Sequence, residues 1–328
     1  MSSRGIFSLL SSNQAYQNAE KEWHIELDFY YKYWYDLVAR PTDMLEHVDT
    51  KRSIVSFLKN LKNEIEEKLE KRFVYFICSR ERVRFNIKKK SSYNPFTGNK
   101  KIHILIGEKE YKKTIKCKFF DEETKKHYNP EIYLRDKYIT INFLNGNSCT
   151  MTIHDFLEAT NINLGIDSKV EYVGFTKNPD TRPTNGAHTG LNDVIYNVID
   201  EKKDSFIYFN IFKVYSKADN STHNLNFVFA NSMIDEVNVD VEGSILEKCF
   251  ILYFNSDNQF RNKNKEYDEL RSSLVKLAKE NKINSINIHY ALSDNNEYEV
   301  FSSSKVQPNH EHFFTIKNEI DGLSIEKR

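Results

Sequence analysis

Five side chains in this chain are of the types that phosphodiester hydrolysis needs. Tyr172-Val173-Gly174 is followed by Lys177, by Arg182 ten residues after the tyrosine, and then by His188. Further on, a lone acid, Glu247, stands in the apolar stretch Ile245-Leu246-Glu247-Lys248-Cys249-Phe250-Ile251. Cutting a phosphodiester requires an activated water, neutralisation of the extra charge on phosphorus and a stabilised leaving oxygen. Arg182 offers a planar, always-charged fork that matches phosphate oxygens, and Lys177 a second cation. Tyr172, beside a cation or metal, could take the proton of the water; His188 could do so instead or donate a hydrogen bond. A divalent ion on Glu247 would polarise the phosphate. Mg²⁺ (or Mn²⁺) suits a single carboxylate, since it fills the rest of its shell with waters and phosphate oxygens. A bare carboxylate among apolar neighbours is costly without a cation. Glu242, five residues earlier, is the competing ligand.

The segment Tyr172-Val173-Gly174-Phe175-Thr176-Lys177-Asn178-Pro179-Asp180-Thr181-Arg182 resembles the second half of the motif of the GIY-YIG nuclease superfamily. There a strand ends in Tyr-Ile/Val-Gly and an arginine follows about ten residues later. His188 lies where several members place a histidine. Glu247, three residues before Phe250-Ile251, resembles the family's metal-ligand glutamate, and Asn258 or Asn262 stands for the asparagine that follows it. The resemblance covers residues 163–262. It implies an α/β/α sandwich with a central antiparallel sheet and an endonuclease of the restriction or phage-defence type. DNA is the substrate it implies first, with RNA open, and double-strand cutting would favour a homodimer. The first half of the motif is not evident near Leu164-Gly165-Ile166, so its tyrosine is missing or supplied from elsewhere, with Tyr208 on a neighbouring strand as a candidate. Pro183 directly after Arg182 also departs from the pattern, because that arginine normally begins a helix. A catalytically inactive nucleic-acid-binding protein with a degenerate nuclease fold is the alternative.

Each residue also has an ordinary use. Tyr172 would serve as a half-buried strand aromatic, Gly174 as a turn, Arg182 and His188 as surface decoration, and Glu247 as a helix carboxylate.

Periodicity supplies the elements that would hold these groups. Residues 19–38 carry Trp23, Ile25, Leu27, Tyr30, Trp34 and Leu37 at roughly helical spacing, and residues 50–71 repeat the pattern with Ile54, Phe57, Leu58, Leu61, Ile65 and Leu69. From residue 73 to 147 the period becomes two, broken by turn signals such as Asn94-Pro95 and Asn145-Gly146-Asn147. After a short helix over 152–160 come a strand over 169–175, a loop over 177–189, a helix near 191–198 and a strand over 206–215. Residues 227–232 fit a strand or the start of a helix. The helix with Glu247 precedes a last unit: helix 266–281, strand 283–290 and strand 313–317. The fold class expected is therefore α+β and multidomain. An N-terminal helical segment (1–70) is followed by a small basic antiparallel β unit (71–150), a GIY-YIG-like domain (151–264) and a C-terminal αβ extension (265–328).

Formal net charge is zero, yet residues 71–126 hold 17 Lys and Arg against 6 Asp and Glu. A basic module on a near-neutral or acidic remainder is the pattern of an enzyme with one nucleic-acid-facing side. Lys88, Lys89, Lys90, Lys100 and Lys101 are the expected phosphate contacts, interleaved with the aromatics of Tyr93-Asn94-Pro95-Phe96. No apolar run approaches the ~20 residues that span a bilayer. The four scattered cysteines form no CxxC pair, so free thiols and a cytoplasmic setting are expected. His310-Glu311-His312 reads as a polar loop.

Overall fold

Residues 73–81, Phe-Val-Tyr-Phe-Ile-Cys-Ser-Arg-Glu, are apolar at both pleat positions for six residues, the pattern of a strand covered on both sides. In the computed structural model they form the second strand of a large mixed sheet. The structure describes residues 4–39, 50–68, 72–121, 124–181, 202–220, 225–292 and 296–327.

The helices are α1 (Ser8–Ser11), α2 (Gln14–Asn18), α3 (Asp36–Ala39), α4 (Thr50–Lys68), α5 (Ile153–Ala159), α6 (Asn231–Ile234), α7 (Val239–Phe254) and α8 (Lys263–Asn281). The strands are β1 (Glu20–Trp34), β2 (Phe73–Glu81), β3 (Val83–Phe85), β4 (Ser92–Asn94), β5 (Asn99–Ile106), β6 (Tyr111–Asp121), β7 (Lys126–Tyr128), β8 (Glu131–Leu134) and β9 (Tyr138–Asn142). They continue with β10 (Ser148–Thr152), β11 (Ser168–Thr176), β12 (Lys203–Asn220), β13 (Leu225–Ala230), β14 (Ile283–Ala291), β15 (Phe301–Ser302), β16 (Glu311–Glu319) and β17 (Gly322–Lys327). The chain is mixed α+β and mostly sheet.

The large sheet runs β15-β11-β2-β12-β1-β14-β16-β17, with β13 added to β12. It is antiparallel except at β1/β14 and β11/β15. Its strands come from all four of the segments that periodicity separates. Alternate residues of β2 face opposite ways. Val74, Phe76 and Cys78 join a core with Ile245, Leu246, Cys249 and Phe250 of α7 and Leu270, Leu274 and Leu277 of α8. Phe73, Tyr75 and Ile77 join a second core with Ile54, Leu58, Leu61 and Ile65 of α4.

The helix expected over 19–38 is instead a fifteen-residue strand, β1. Its pairing to β12 shifts between Leu27 and Phe29, so Asp28 is a bulge and the side-chain parity flips there. Trp23, Ile25, Leu27, Tyr30 and Trp34 therefore face the α7 side, while Phe29, Tyr31 and Tyr33 face the α4 side. The bulge turns a period of two into the spacing 23, 27, 30, 34, which imitates a helix.

Between β2 and β11 the chain leaves the large sheet. Strands β3 to β10 with α5 close around a core of their own, which includes Phe85, Ile102, Ile104, Ile115, Ile139 and Phe156. Buried Asp204 on β12 ties this inserted unit to the sheet. It accepts from the Val83 N–H at 2.8 Å and from Arg84 Nη1 at 2.7 Å, and lies 3.0 Å from His154 Nε2 of α5. Burial alone would raise the Asp204 carboxyl, but His154, Arg84 and the Val83 N–H hold it below its ordinary value.

Candidate active site and basic face

Tyr172 is on β11, half-buried, with its ring on the α4 side of the sheet. Gly174 does not end the strand or make a turn, since β11 continues to Thr176. What requires glycine there is a neighbour. Tyr75 of β2 is paired with Gly174 in register, and a Cβ on Gly174 would lie 2.5 Å from the Tyr75 Cζ and hydroxyl and 2.8 Å from Tyr172 Cε1. The two tyrosine rings sit side by side over that bare backbone, centroids 5.9 Å apart. Tyr75 is thus the second tyrosine beside Tyr172, a residue that motif spacing does not reveal. Tyr208, the sequence candidate, faces the other side of the sheet. It is buried, donates to the Tyr298 carbonyl at 2.6 Å, and burial raises its phenol far above the ordinary value.

Glu247 approaches the same strand from the other face. One turn before it, Gly243 brings α7 close to β11: a Cβ there would meet the Phe175 ring at 2.9 Å. Glu247 Oε1 then accepts the Phe175 N–H at 3.0 Å. Gln259 brackets Val173 in the same way, accepting from its N–H at 2.9 Å and donating to its carbonyl at 2.7 Å. Among the described residues, these two side chains cover the edge of β11 beyond Ser168 and Lys169, where its pairing with β15 stops. Asn258 is engaged elsewhere, donating to Glu171 Oε2 at 2.7 Å. The competing acid Glu242 is also removed from the site: it is buried and holds Asn231 Nδ2 at 2.5 Å and Arg4 Nη2 at 3.2 Å. Lys177 is exposed just past the strand end. Arg182, Pro183, His188, the helix expected near 191–198 and the Asn262 side chain lie outside the described residues.

The donor set can be weighed against a metal. Among the described residues no group of three His, Cys, Asp or Glu could hold an ion, so a zinc-type site is not formed there. A single carboxylate held in orientation by a backbone N–H fits Mg²⁺ or Mn²⁺, which retain most of their waters.

The basic segment divides into surface and core. Lys88, Lys89, Lys90 and Lys101 are exposed. Lys100 is not: it points into the inserted unit, where its ammonium donates to Asn129 Oδ1 at 2.6 Å and to the Pro130 carbonyl at 3.2 Å, and burial lowers its pKa. It is a structural cation, because the pleat of β5 sends it inward with Ile102 and Ile104. The outward residues of β5 and β6 pair as Asn99 with Lys118, Lys101 with Lys116, His103 with Thr114 and Leu105 with Lys112. His103 contacts Thr114 Oγ1 at 2.8 Å; burial first, then the Lys89 and Lys101 cations, hold its imidazole below the ordinary value.

His312, expected in a loop, is a buried member of β16 with its Nδ1 2.9 Å from the Tyr253 hydroxyl. All four cysteines are free. No helix among the described residues is long and apolar enough to cross a membrane. No family model, curated protein or solved structure matches this chain.

Proposed function

We propose that this protein is a metal-dependent endonuclease that hydrolyses phosphodiester bonds in DNA. The observation that supports this most is the pairing of Tyr75 with Tyr172 over Gly174, with the Glu247 carboxylate at the backbone of the next residue. Two phenols on the α4 side and an anchored acid arriving from the α7 side thus flank residues 172–175 of one strand. In this reading the half-buried Tyr172 meets the attacking water or the phosphate, and the buried Tyr75 ring fixes its position. Glu247 would hold Mg²⁺ or Mn²⁺, which when bound supplies charge neutralisation at phosphorus and at the leaving oxygen. The Phe175 N–H sets the orientation of that carboxylate. Lys177, Arg182 and His188 take the remaining roles, countering phosphate charge and moving or donating a proton. The restriction or phage-defence setting rests on the family resemblance alone.

A second reading is favoured by one contact. Accepting the Phe175 N–H is already a complete structural use for Glu247, which suits a nucleic-acid-binding protein that does not cut. Glu247→Gln separates the two, because the amide keeps an oxygen for Phe175 and loses the charge. The assay is Mg²⁺-dependent cleavage of plasmid and linear DNA, beside Tm and DNA binding. Cleavage by the wild type that Glu247→Gln and Tyr172→Phe lose at unchanged Tm is the expected result. Undiminished cleavage by Glu247→Gln overturns the metal assignment. A wild type that binds DNA in a salt-sensitive way without cutting it establishes the binder.

A further inference from the structure

The outward positions of β5 and β6 carry Lys101, Lys112, Lys116 and Lys118, and no Asp or Glu occupies an outward position from Asn99 to Leu105 or from Lys112 to Phe120. Lys101 stands directly across from Lys116. Like charges opposite one another destabilise a sheet, so this pair costs stability unless an anion lies over it. Lys116 and Lys118 are two residues apart on one face, about 6.8 Å along the strand. That repeat is close to the spacing of phosphates along one extended nucleic-acid strand.

The lysine row ends in aromatics. Phe120 follows Lys118 on the same face and is half exposed, with its ring 5.4 Å from that of His127 on β7. Gly98, at the tip of the β4–β5 hairpin, lies against His127: a Cβ there would be 3.1 Å from the His127 Cβ. Two residues before Gly98, Phe96 is 98% exposed. Its main chain is fixed, because Asn94 Oδ1 accepts the Phe96 N–H at 2.9 Å and the Thr97 N–H at 3.2 Å. A ring that an anchored main chain presents to water is a stacking surface. In a duplex the base faces are covered by their neighbours, whereas unpaired bases present theirs.

We propose that the outer face of β5–β6 is a platform for an unpaired nucleic-acid segment, its backbone along Lys101, Lys116 and Lys118 and its bases against Phe120 and Phe96. This deepens the DNA-cutting reading by naming the kind of substrate: DNA with a single-stranded stretch, gripped by the inserted unit apart from the tyrosine pair.

Fluorescence anisotropy of the full chain in EDTA tests it, with a labelled 20-nucleotide oligothymidine and a 20-base-pair duplex. Two variants probe the face: Lys101→Gln/Lys116→Gln/Lys118→Gln, and Phe96→Ala/Phe120→Ala. A third, Lys265→Gln/Lys276→Gln/Lys279→Gln on α8, controls for net charge. The face lysines should flatten the log–log salt dependence of single-strand binding by about 2, and the control should leave it unchanged. The aromatic variant should weaken oligothymidine binding about tenfold or more and leave duplex binding unaltered. An unchanged salt slope in the face variant, or oligothymidine binding that ignores both phenylalanines, overturns the platform. Because EDTA removes the metal, the two readings fail separately. A failed platform leaves cleavage sensitive to Glu247→Gln, and a failed nuclease leaves this binding intact.

Discussion

Gly174→Ala is the sharpest perturbation that the site offers. Gly174 has no positive φ, so its backbone accepts an alanine and the whole penalty is steric. The new Cβ would lie 2.5 Å from Tyr75 Cζ and its hydroxyl, whereas ordinary contact begins near 3.4 Å. The Tyr75 ring must retreat by about 0.9 Å. It has little room to do so, being fully buried with the Tyr172 and Phe209 rings 5.9 and 6.2 Å away. Overpacking of this kind costs about 1–3 kcal/mol. With about 2.1 cal/mol/K of unfolding entropy per residue over 328 residues, Tm falls by roughly 1.5–4.5 °C.

The decisive comparison is the same change made in a Tyr75→Ala background. Tyr75→Ala alone should cost about 3–5 kcal/mol, as other buried aromatic truncations do. With the Tyr75 ring gone, half-buried Tyr172, whose Cε1 lies 2.8 Å from the new Cβ, can move into the space left. Gly174→Ala should then be neutral or should stabilise by about 0.4–1 kcal/mol, because alanine restricts the unfolded chain. The double-mutant cycle in urea then shows a coupling of about 1–4 kcal/mol. An equal penalty in both backgrounds would refute the claim that the glycine exists to admit Tyr75. The wild-type tyrosine pair would then be an incidental contact.

Two further outcomes follow from buried groups. Lys100→Met should destabilise by about 1–3 kcal/mol, because the carbonyl of buried Pro130 loses its donor, whereas exposed Asn129 can turn to water. Nucleic-acid affinity and its salt slope should stay unchanged, and a variant that keeps its stability but binds DNA less steeply would return Lys100 to the surface set. His312 supplies a pH dependence. Burial, opposed by the Asn309 and Phe301 carbonyls and aided by the Lys327 cation, lowers its imidazole to about 4. The unfolded chain, near 6.5, then binds the proton first, so stability is full above about pH 6.5 and falls as pH drops toward 4, by about 3 kcal/mol. Urea midpoints at pH 7, 5 and 4 should lose that slope in His312→Phe, and an unchanged slope would assign it to other groups.

Elements whose pattern is local were legible in the sequence. The helix of Ile54, Leu58, Leu61 and Ile65 is α4, residues 283–290 fall in β14 and 313–317 in β16, and the ambiguous segment 227–232 is a strand that passes into a helix, β13 into α6. β1 was misread because one bulged residue, Asp28, reverses the parity of an otherwise alternating strand. After the bulge the aromatics Phe29, Tyr30, Tyr31, Tyr33 and Trp34 fall on both sides, so that half of the strand has no polar phase to betray its period. Lys100 shows the reverse case. A lysine beside Lys101 in a basic run reads as surface, and only the alternation of Ile102 and Ile104 behind it marks the inward face.

The candidate site divides along the same line. Tyr172, Gly174 and Glu247 are legible because one strand and one helix carry them within a stretch whose order is continuous. Tyr75 is not, because β2 ends at Glu81 and its pairing partner β11 begins at Ser168, with the whole inserted unit between them. Nothing in the text around Phe73-Val74-Tyr75-Phe76 distinguishes its tyrosine from the other strand aromatics. What selects it is register: opposite Tyr75 stands the only residue of β11 that lacks a side chain. A glycine inside a strand otherwise forfeits packing and backbone entropy. The signal for Tyr75 was therefore Gly174 itself, which asks for a large ring across the strand pair rather than for a turn.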